Sequence, residues 1–104
     1  MPSTIQAGVY SVTSHYLRAV AAAGTTETDT VVREMHALPV GDATIRNGSL
    51  RVDGRMEHDS YLFRVKTPAE SHEPYDFYQV LATTIAAGAF GPMSDCVCPL
   101  LKQG

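Results

Sequence analysis

The sequence predicts an α/β unit in which two helices at the amino end precede a β-hairpin and strand region and an irregular tail. Two patterns support this prediction. Apolar residues in the first part of the chain recur every three or four positions, the period of an amphipathic helix. Glycine turns and runs that alternate apolar with polar residues follow, as in short strands. With 104 residues, of which 44% are apolar and 18% charged, we expect residues 1–104 to form a single unit.

The first helix is predicted over about residues 5–23, and Gly24 is expected to end it as a C-cap. Its apolar residues lie on two sides of the helix, so they cover more than half of its circumference. A helix of this kind needs packing partners on two sides. The first stripe is Ile5, Val9, Val12, Tyr16, Ala19 and Ala23, and the second is Tyr10, Leu17 and Val20.

A second, shorter helix is predicted over about residues 27–38. Thr26 and Asp29 have the spacing of a capping box at its start, and Pro39 stops it. The residues predicted to be buried on this helix are Val31, Met35 and Leu38.

The region after the second helix is rich in turn-forming residues. Asn47-Gly48 and Asp53-Gly54 are dipeptides suited to the positive φ angles of tight turns. They flank a short strand that we predict over about residues 49–52.

Two further strands are predicted, over about residues 59–67 and about residues 76–84. Pro68 removes a backbone donor and ends the first of them. The second run is aromatic and β-branched, and a short helix fits it nearly as well as a strand. In the first run, successive side chains alternate between a face expected to be buried and a more solvent-exposed face. Tyr61, Phe63 and Val65 lie on one side, and Leu62, Arg64 and Lys66 lie on the other.

Composition argues against nucleic-acid and membrane partners. The formal net charge is −3, which leaves no basic excess to neutralise phosphates. No apolar run approaches the roughly 20 residues that cross a bilayer, and the first residues lack the pattern of an export signal. We therefore expect no nucleic acid, no membrane insertion and, for the chain as written, a cytoplasmic location.

No metal or catalytic motif is recognisable. Cys96 and Cys98 lack the further ligands of a structural zinc site and are too close for an unstrained disulfide, so free thiols or an intermolecular bridge are expected. No two of the four histidines have the spacing of a metal site on a helix. Neighbouring residues of a strand point to opposite faces, so the run from Glu57 to Ser60 cannot form a catalytic group by itself. No glycine-rich phosphate loop occurs. We expect no enzymatic activity, no metal and no cofactor.

Two runs in the turn and strand region are specific, D-G-R-M-x-H-D-x-Y at residues 53–61 and V-K-x-P-x-E-S at residues 65–71. With the rest of the chain they resemble the C-terminal segment of the periplasmic solute-binding proteins of branched-chain amino acid type ABC transporters. The similarity covers nearly the whole sequence. The stretches that carry it are "QAGVYSVTSHYLRAVAAAGTT", "VVREMHALPV", "NGSLRVDGRMEHDSYLFRVKTPAES", "YDFYQVLAT" and "CPLLK".

The resemblance implies the fold of a type I periplasmic binding protein, in which two α/β lobes close over a small ligand. The family's C-terminal segment supplies a helix near the hinge and strands that join the lobes, so the hairpin would be a scaffold. Complete members resemble a chain about three times as long. We therefore expect a fragment, from a truncated reading frame or a proteolytic remnant, that lacks most of the pocket walls. The family has one cysteine here, matching Cys98, and Cys96 is an addition.

The resemblance also implies a small-molecule ligand, ABC permease subunits as partners and a periplasmic location. The family's ligands include branched-chain amino acids, amides, urea and aromatic acids, and this segment does not choose among them. The residues nearest to the family's pocket are Ile5, Gln6 and Tyr10. The alternative interpretation makes Ile5 and Tyr10 core residues and Gln6 an exposed residue at the helix start.

Two other functions remain as alternatives: a stand-alone structural or protein-interaction domain and, with less support, a small enzyme. For the chain by itself we expect a symmetric homodimer, since its first helix has more apolar surface than one short helix and a small sheet can cover. Val12 and Tyr16 mark the expected contact. The strand edges near residues 50–52 and 61–65 offer a second route to association.

Overall fold

The computed structural model describes residues 3–103, and the side chains of residues 3–101. Two helices come first and the strands follow, as the sequence predicts. The elements are α1 (Thr4–Ala23), α2 (Thr28–Ala37), β1 (Ser49–Leu50), β2 (Met56–Glu57), β3 (Ser60–Val65), β4 (Tyr78–Thr84) and α3 (Ala86–Ala89), followed by 3₁₀ turns at Met93–Asp95 and Pro99–Gln103.

Helix α1 is capped at both ends. The Ser3 hydroxyl accepts a 3.3 Å hydrogen bond from the backbone N–H of Gln6, and the Gln6 side-chain oxygen accepts one of 2.7 Å from the N–H of Ser3. This reciprocal pair is a capping box, which satisfies two of the donors that a helix start leaves free. At the other end Gly24 adopts a left-handed conformation with φ of 65°, which confirms the predicted C-cap.

Helix α2 begins differently from the prediction. The capping box of Thr26 and Asp29 is wrong, since the N-cap is Glu27, whose carboxylate accepts from the N–H groups of Asp29 at 3.1 Å and Thr30 at 2.8 Å. The helix ends at Ala37 rather than at residue 38. Leu38 is extended because the ring of the following proline disfavours the helical conformation at that position.

The face of α1 that packs against the neighbouring elements is not the predicted one. Its buried residues are Ser11, His15 and Ala19, which are four positions apart. Of the predicted first stripe, only Ala19 is buried. Val20 of the second stripe is half-buried, and the other large residues of both stripes are exposed. Within the described part of the chain, the buried apolar residues are Ala19, Val31 and Val40.

Two of the three buried residues on α1 are polar, and each finds a hydrogen-bond partner far along the chain. Nε2 of His15 lies 2.7 Å from the carbonyl oxygen of Met35, and the Ser11 hydroxyl donates to Asp42 at 2.6 Å. Nδ1 of His15 is buried without a partner. These bonds fix α1 against α2 and the loop that follows it.

Gly48 does not form the predicted tight turn. Of the described glycines, only Gly24 and Gly54 have a positive φ. Gly48 instead pairs with Val40 in an isolated antiparallel bridge, with nitrogen-to-oxygen distances of 2.9 and 3.0 Å. A Cβ atom on Gly48 would lie 2.7 Å from Cγ2 of Ile45 and 2.9 Å from Cβ of Val40. Glycine is needed here because another segment approaches closely, not because of φ.

The second predicted turn is present and closes a short hairpin. Gly54 has φ of 83°, and its N–H donates to the carbonyl oxygen of Arg51 at 2.9 Å. β1 pairs with β2 in antiparallel register, Leu50 opposite Met56. The predicted strand over residues 49–52 is therefore shorter than expected, since residues 51–55 form the turn.

β3 and β4 form a separate antiparallel sheet of two strands. They are shorter than the predicted ranges 59–67 and 76–84, and the second run is a strand rather than a short helix. The pairing shifts after Leu62, which lies opposite Ala82, so that Phe63 lies opposite Val80 and Leu81 is the extra residue of a bulge. Every residue of both strands is exposed. The face of β3 that was expected to be buried is thus exposed to solvent, because no other described element packs on it.

The chain is more extended than a globular protein of its size. Its radius of gyration is 17.0 Å, whereas about 13 Å is typical of a compact domain of this length. Its accessible surface is 7698 Å², against about 5,700 Å² for a folded monomer of this mass. The difference of about 2,000 Å² is surface that a compact fold would bury.

Candidate functional site

A cavity of about 820 Å³ lies where the start of α1 approaches the β3–β4 sheet. Ligand pockets in proteins measure about 300–1,000 Å³, so this volume suits a small molecule. The cavity is open to solvent and its walls are largely aromatic. They consist of Ser3, Thr4, Phe63, Tyr75, Asp76, Phe77 and Tyr78.

Tyr75 stands in an unusual backbone conformation at the edge of this cavity. Its φ is 67°, a value that bulky residues rarely adopt. The turn is held by a 2.9 Å hydrogen bond from the N–H of Phe77 to the carbonyl oxygen of Tyr75. The two rings meet edge to face with centroids 6.2 Å apart. The Tyr75 ring is thus fixed beside the cavity although it remains mostly exposed.

Asp76 fixes the loop between β3 and β4, and each of its carboxylate oxygens has a partner within the chain. One carboxylate oxygen lies 2.5 Å from Nζ of Lys66, and the other accepts a 3.2 Å hydrogen bond from the N–H of His72. The Lys66 hydrogen bond, followed by the one from His72, lowers the pKa of Asp76. The carboxylate therefore stays ionised, and the four aromatic rings form the largest part of the cavity wall.

The three residues that the resemblance assigns to the pocket lie on the exposed side of α1. Ile5 is 78% exposed and Tyr10 is 52% exposed, so neither is a core residue in this chain. Gln6 is exposed and its side chain serves the capping box. None of the three lines the cavity, although Ile5 directly follows Thr4, which does. Their role in ligand binding stays a prediction.

The consecutive residues Glu57 to Ser60 make structural contacts. Glu57 pairs with Arg51 at 3.1 Å, and Asp59 accepts a 3.0 Å hydrogen bond from the N–H of Ala86. Nδ1 of His58 lies 2.8 Å from the carbonyl oxygen of Asp59. These bonds hold the end of the hairpin and the start of α3, and they do not join a base to a nucleophile.

Arg51 also connects the hairpin to the tail. It pairs with Asp53 at 2.6 Å, and its guanidinium donates a 2.7 Å hydrogen bond to the carbonyl oxygen of Gly91. Cys96 and Cys98 are free and half-buried thiols. The described residues contain no group of three or more side chains that could hold a metal ion. None of the described helices has the length and apolar character needed to cross a membrane.

Sequence reasoning did not single out Tyr75 or Asp76. The available signal was the density of aromatic residues in "YDFY", residues 75–78. The strained backbone of Tyr75 and the ion pair of Asp76 with Lys66 depend on a loop geometry that no local pattern specifies.

Comparison with known proteins relates this arrangement to one family. A family model described as periplasmic binding protein matches residues 1–72. No curated protein matches the chain. Two solved structures align with nearly all of it. A periplasmic binding protein from Burkholderia mallei has 43% sequence identity over 96% of this chain, with a TM-score of 0.84.

The second structure is a branched chain amino acid ABC transporter periplasmic ligand-binding protein from Burkholderia xenovorans LB400. It has 39% identity over 95% of this chain, with a TM-score of 0.85. The chain spans 26% of the length of each of these two proteins. The expected fold class, part of a periplasmic binding protein with helices before strands, is confirmed. The chain belongs to the periplasmic binding protein family, a family of solute-binding proteins rather than enzymes.

Proposed function

We propose that this chain is the C-terminal part of the solute-binding component of an ABC importer for branched-chain amino acids or related small molecules such as aromatic acids. The observation that carries the proposal is the alignment of 95% of the chain, at 39% identity and a TM-score of 0.85, with the Burkholderia xenovorans ligand-binding protein. A periplasmic location and ABC permease subunits as partners belong to the same proposal.

In this proposal the chain contributes one wall of the ligand cleft. The start of α1 and the aromatic rings beside it border the cavity of about 820 Å³, and Ile5, Gln6 and Tyr10 are proposed to face the solute nearby. The cavity is open, so a solute bound to the chain by itself would stay largely in water. Small-molecule sites bury most of the ligand surface. Calorimetric titration of the 104-residue chain with branched-chain amino acids and aromatic acids should therefore show no binding stronger than about 1 mM.

The alternative function is a stand-alone structural or protein-interaction domain without a role in transport. A self-sufficient domain of this length would be compact, whereas this chain exposes about 2,000 Å² more than a folded monomer of its mass. The excess surface favours the interpretation that the chain functions as part of a larger assembly.

An assembly experiment separates these two functions. The Burkholderia xenovorans protein is prepared without the quarter that matches this chain, and the two pieces are mixed. A solute-binding segment should form a one-to-one complex that melts cooperatively. A variant of the chain with Val12→Asp, on the exposed side of α1, should bind the shortened protein less tightly. Two pieces that stay separate would leave the stand-alone domain as the better interpretation.

We also propose that the 104-residue chain by itself forms a symmetric homodimer. Its exposed excess of about 2,000 Å² exceeds the roughly 800 Å² that each partner contributes to a standard protein interface. A two-fold pair covers the same patch on both copies. Light scattering coupled to size exclusion at tens of micromolar should give twice the mass of 11.2 kDa. A monodisperse mass of one chain would contradict this proposal.

A further inference from the structure

The loop between β3 and β4 turns sharply beside the aromatic wall of the cavity. The N–H of Asp76 donates a 3.2 Å hydrogen bond to the carbonyl oxygen of Glu73, so Pro74 and Tyr75 are the central residues of a β-turn. Proline at the first central position and a positive φ at the second are the features of a type II turn. The second position of this turn favours glycine or asparagine, yet this chain has tyrosine there.

The backbone of Tyr75 is held in this conformation by bonds inside the hairpin. Lys66, which directly follows β3, pairs with Asp76 at 2.5 Å, and its N–H donates a 2.8 Å hydrogen bond to the carbonyl oxygen of Phe77. A left-handed conformation is costly for any residue that has a Cβ atom. Because the bonds that impose it lie within this loop, the strain is a property of the chain itself.

Packing inside the chain does not offset the strain of Tyr75. Its ring meets Phe77 edge to face, with 6.2 Å between centroids, and 68% of the residue is exposed. Glycine at this position would relieve the strain and lose little packing. Strained residues of this kind cluster at ligand contacts, where the conformation serves function. Tyr75 lines the cavity of about 820 Å³, so the function nearest to its ring is contact with a solute there.

The rings of the cavity wall suit a solute that is itself planar. Aromatic rings attract one another in offset-stacked or edge-to-face pairs, which an alkyl group cannot form. The planes of Tyr75 and Phe77 stand at 79° to each other. A solute ring that lies parallel to one of them is therefore nearly perpendicular to the other, and both arrangements are favourable. Phe63 and Tyr78 extend the same wall, with 5.7 Å between their centroids.

We propose that Tyr75 is a specificity-determining residue, whose ring contacts the solute and selects solutes with a planar ring over those with a branched alkyl group. The inference rests on the proposed solute-binding function and narrows it to one class of solute. The strained turn fixes the ring before the solute arrives, so binding does not have to order this loop. Tyrosine is retained in place of glycine because it presents this preformed contact.

Two substitutions measure the strain. Tyr75→Gly and Tyr75→Ala both remove the ring and differ only in the Cβ atom, so the pair reports on the backbone conformation. The chain with Tyr75→Gly should unfold about 5 °C above the chain with Tyr75→Ala, as followed by circular dichroism. Equal midpoints, or a higher midpoint for Tyr75→Ala, would show a relaxed backbone and overturn the inference.

Solute selection is measured on a graft, in which this chain replaces the matching quarter of the Burkholderia xenovorans ligand-binding protein. Phenylalanine and leucine are the first pair of probes, since they differ only in a ring against a branched alkyl group. Benzoate and 3-methylbutanoate repeat the comparison without the amino group. Calorimetry should give binding of the ring solute of a pair that is tighter by at least about tenfold.

Substitutions at position 75 assign this preference to the ring. In the graft, Tyr75→Leu keeps an apolar side chain and should weaken the binding of the ring solute about tenfold, and that of its alkyl partner by less than about twofold. Tyr75→Phe keeps the ring and should retain the preference. A Tyr75→Leu graft that loses affinity for both solutes of a pair equally would overturn the inference.

The outcomes separate the inference from the proposed function. A graft that binds the alkyl solutes as tightly as the ring solutes overturns the inference and leaves the solute-binding role intact. A folded graft that binds no solute of either class contradicts the proposed function and the inference together.

A measurement on the unmodified graft covers the case in which a variant does not fold. With the tyrosine rings isotope-labelled, filtered nuclear Overhauser spectra should connect the ring of the bound phenylalanine or benzoate with the ring of Tyr75. A bound solute without this contact would overturn the inference. So would a Tyr75 ring that contacts only other residues of the graft, since another part of the fold would then cover it.

Discussion

The hydroxyl of Ser11 donates a 2.6 Å hydrogen bond to Oδ2 of Asp42, a residue 31 positions later in the chain. Oδ1 of the same carboxylate accepts from the N–H groups of Thr44 at 2.7 Å and Ile45 at 2.9 Å. A single side chain thus holds α1 against the loop of residues 41–47, which the bridge between Val40 and Gly48 closes. Such charge-assisted bonds are stronger than neutral ones.

Asp42 should make folding sensitive to acid. Burial acts to raise its pKa, but the hydrogen bonds from Ser11, Thr44 and Ile45 outweigh burial and lower the pKa to about 2. A carboxylate with a lowered pKa stabilises the fold above its unfolded pKa, and this contribution is lost as the pH falls through the folded value. Between about pH 4 and pH 2, the free energy of unfolding of the natural chain should therefore fall more than that of Asp42→Asn. Urea denaturation at several pH values measures both, and parallel curves would contradict the prediction.

Gly48→Ala should destabilise the chain by about 1–3 kcal/mol, because the new methyl group would lie within 3 Å of Ile45 and Val40. Gly8→Ala is the matched control. Position 8 is inside α1 and has no neighbouring atom within 4 Å of the added Cβ, so alanine should stabilise by about 0.5–1 kcal/mol. Thermal unfolding followed by circular dichroism shows whether each variant is less or more stable than the natural chain. A neutral or favourable Gly48→Ala would show that the bridge to Val40 does not require glycine.

Glu27→Ala should cost about 1 kcal/mol of stability, since it removes the carboxylate that accepts from two N–H groups at the start of α2. Thr26→Ala should be nearly neutral, because Thr26 is not the N-cap. Chemical denaturation of the two variants decides between the observed cap and the one expected from sequence. A larger loss for Thr26→Ala would favour the latter.

The sequence predicts the order of elements well because both periodicities are local. The stripes of α1, the cap at Gly24 and the alternation in β3 depend on neighbouring residues, and the structure has a helix, a left-handed glycine and a strand at these places. The start of α2 was missed because glutamate is not among the preferred N-cap residues.

Contacts between distant segments were less accessible to sequence reasoning. Gly48 belongs to an Asn-Gly dipeptide, which is typical of tight turns. The structure instead needs glycine at this position because Val40 pairs closely with it. Ser11 and His15 look like solvent-facing residues, and they are buried because Asp42 and the carbonyl group of Met35 offer hydrogen bonds from other elements. Apolar periodicity on α1 marked surface that α2 does not cover, since periodicity does not identify the partner.

The candidate site, too, was only partly accessible to sequence reasoning. The resemblance pointed to Ile5, Gln6 and Tyr10, whereas the residues of this end of the chain that line the cavity are Ser3 and Thr4. Its aromatic wall comes from β3, β4 and the loop between them, far along the chain, where Tyr75 adopts a positive φ. A pattern of adjacent letters does not indicate which distant segments meet, so this wall had to be found in the structure.

A graft tests the proposed solute-binding role most directly. In the Burkholderia xenovorans ligand-binding protein, the quarter that matches this chain is replaced by the chain, and the product is titrated by calorimetry with branched-chain amino acids and aromatic acids. We predict a cooperatively folded protein that binds one of these solutes with one-to-one stoichiometry, more tightly than about 1 mM. A graft that folds cooperatively yet binds none of the solutes, while the unaltered protein binds one of them under the same conditions, would contradict the proposed function.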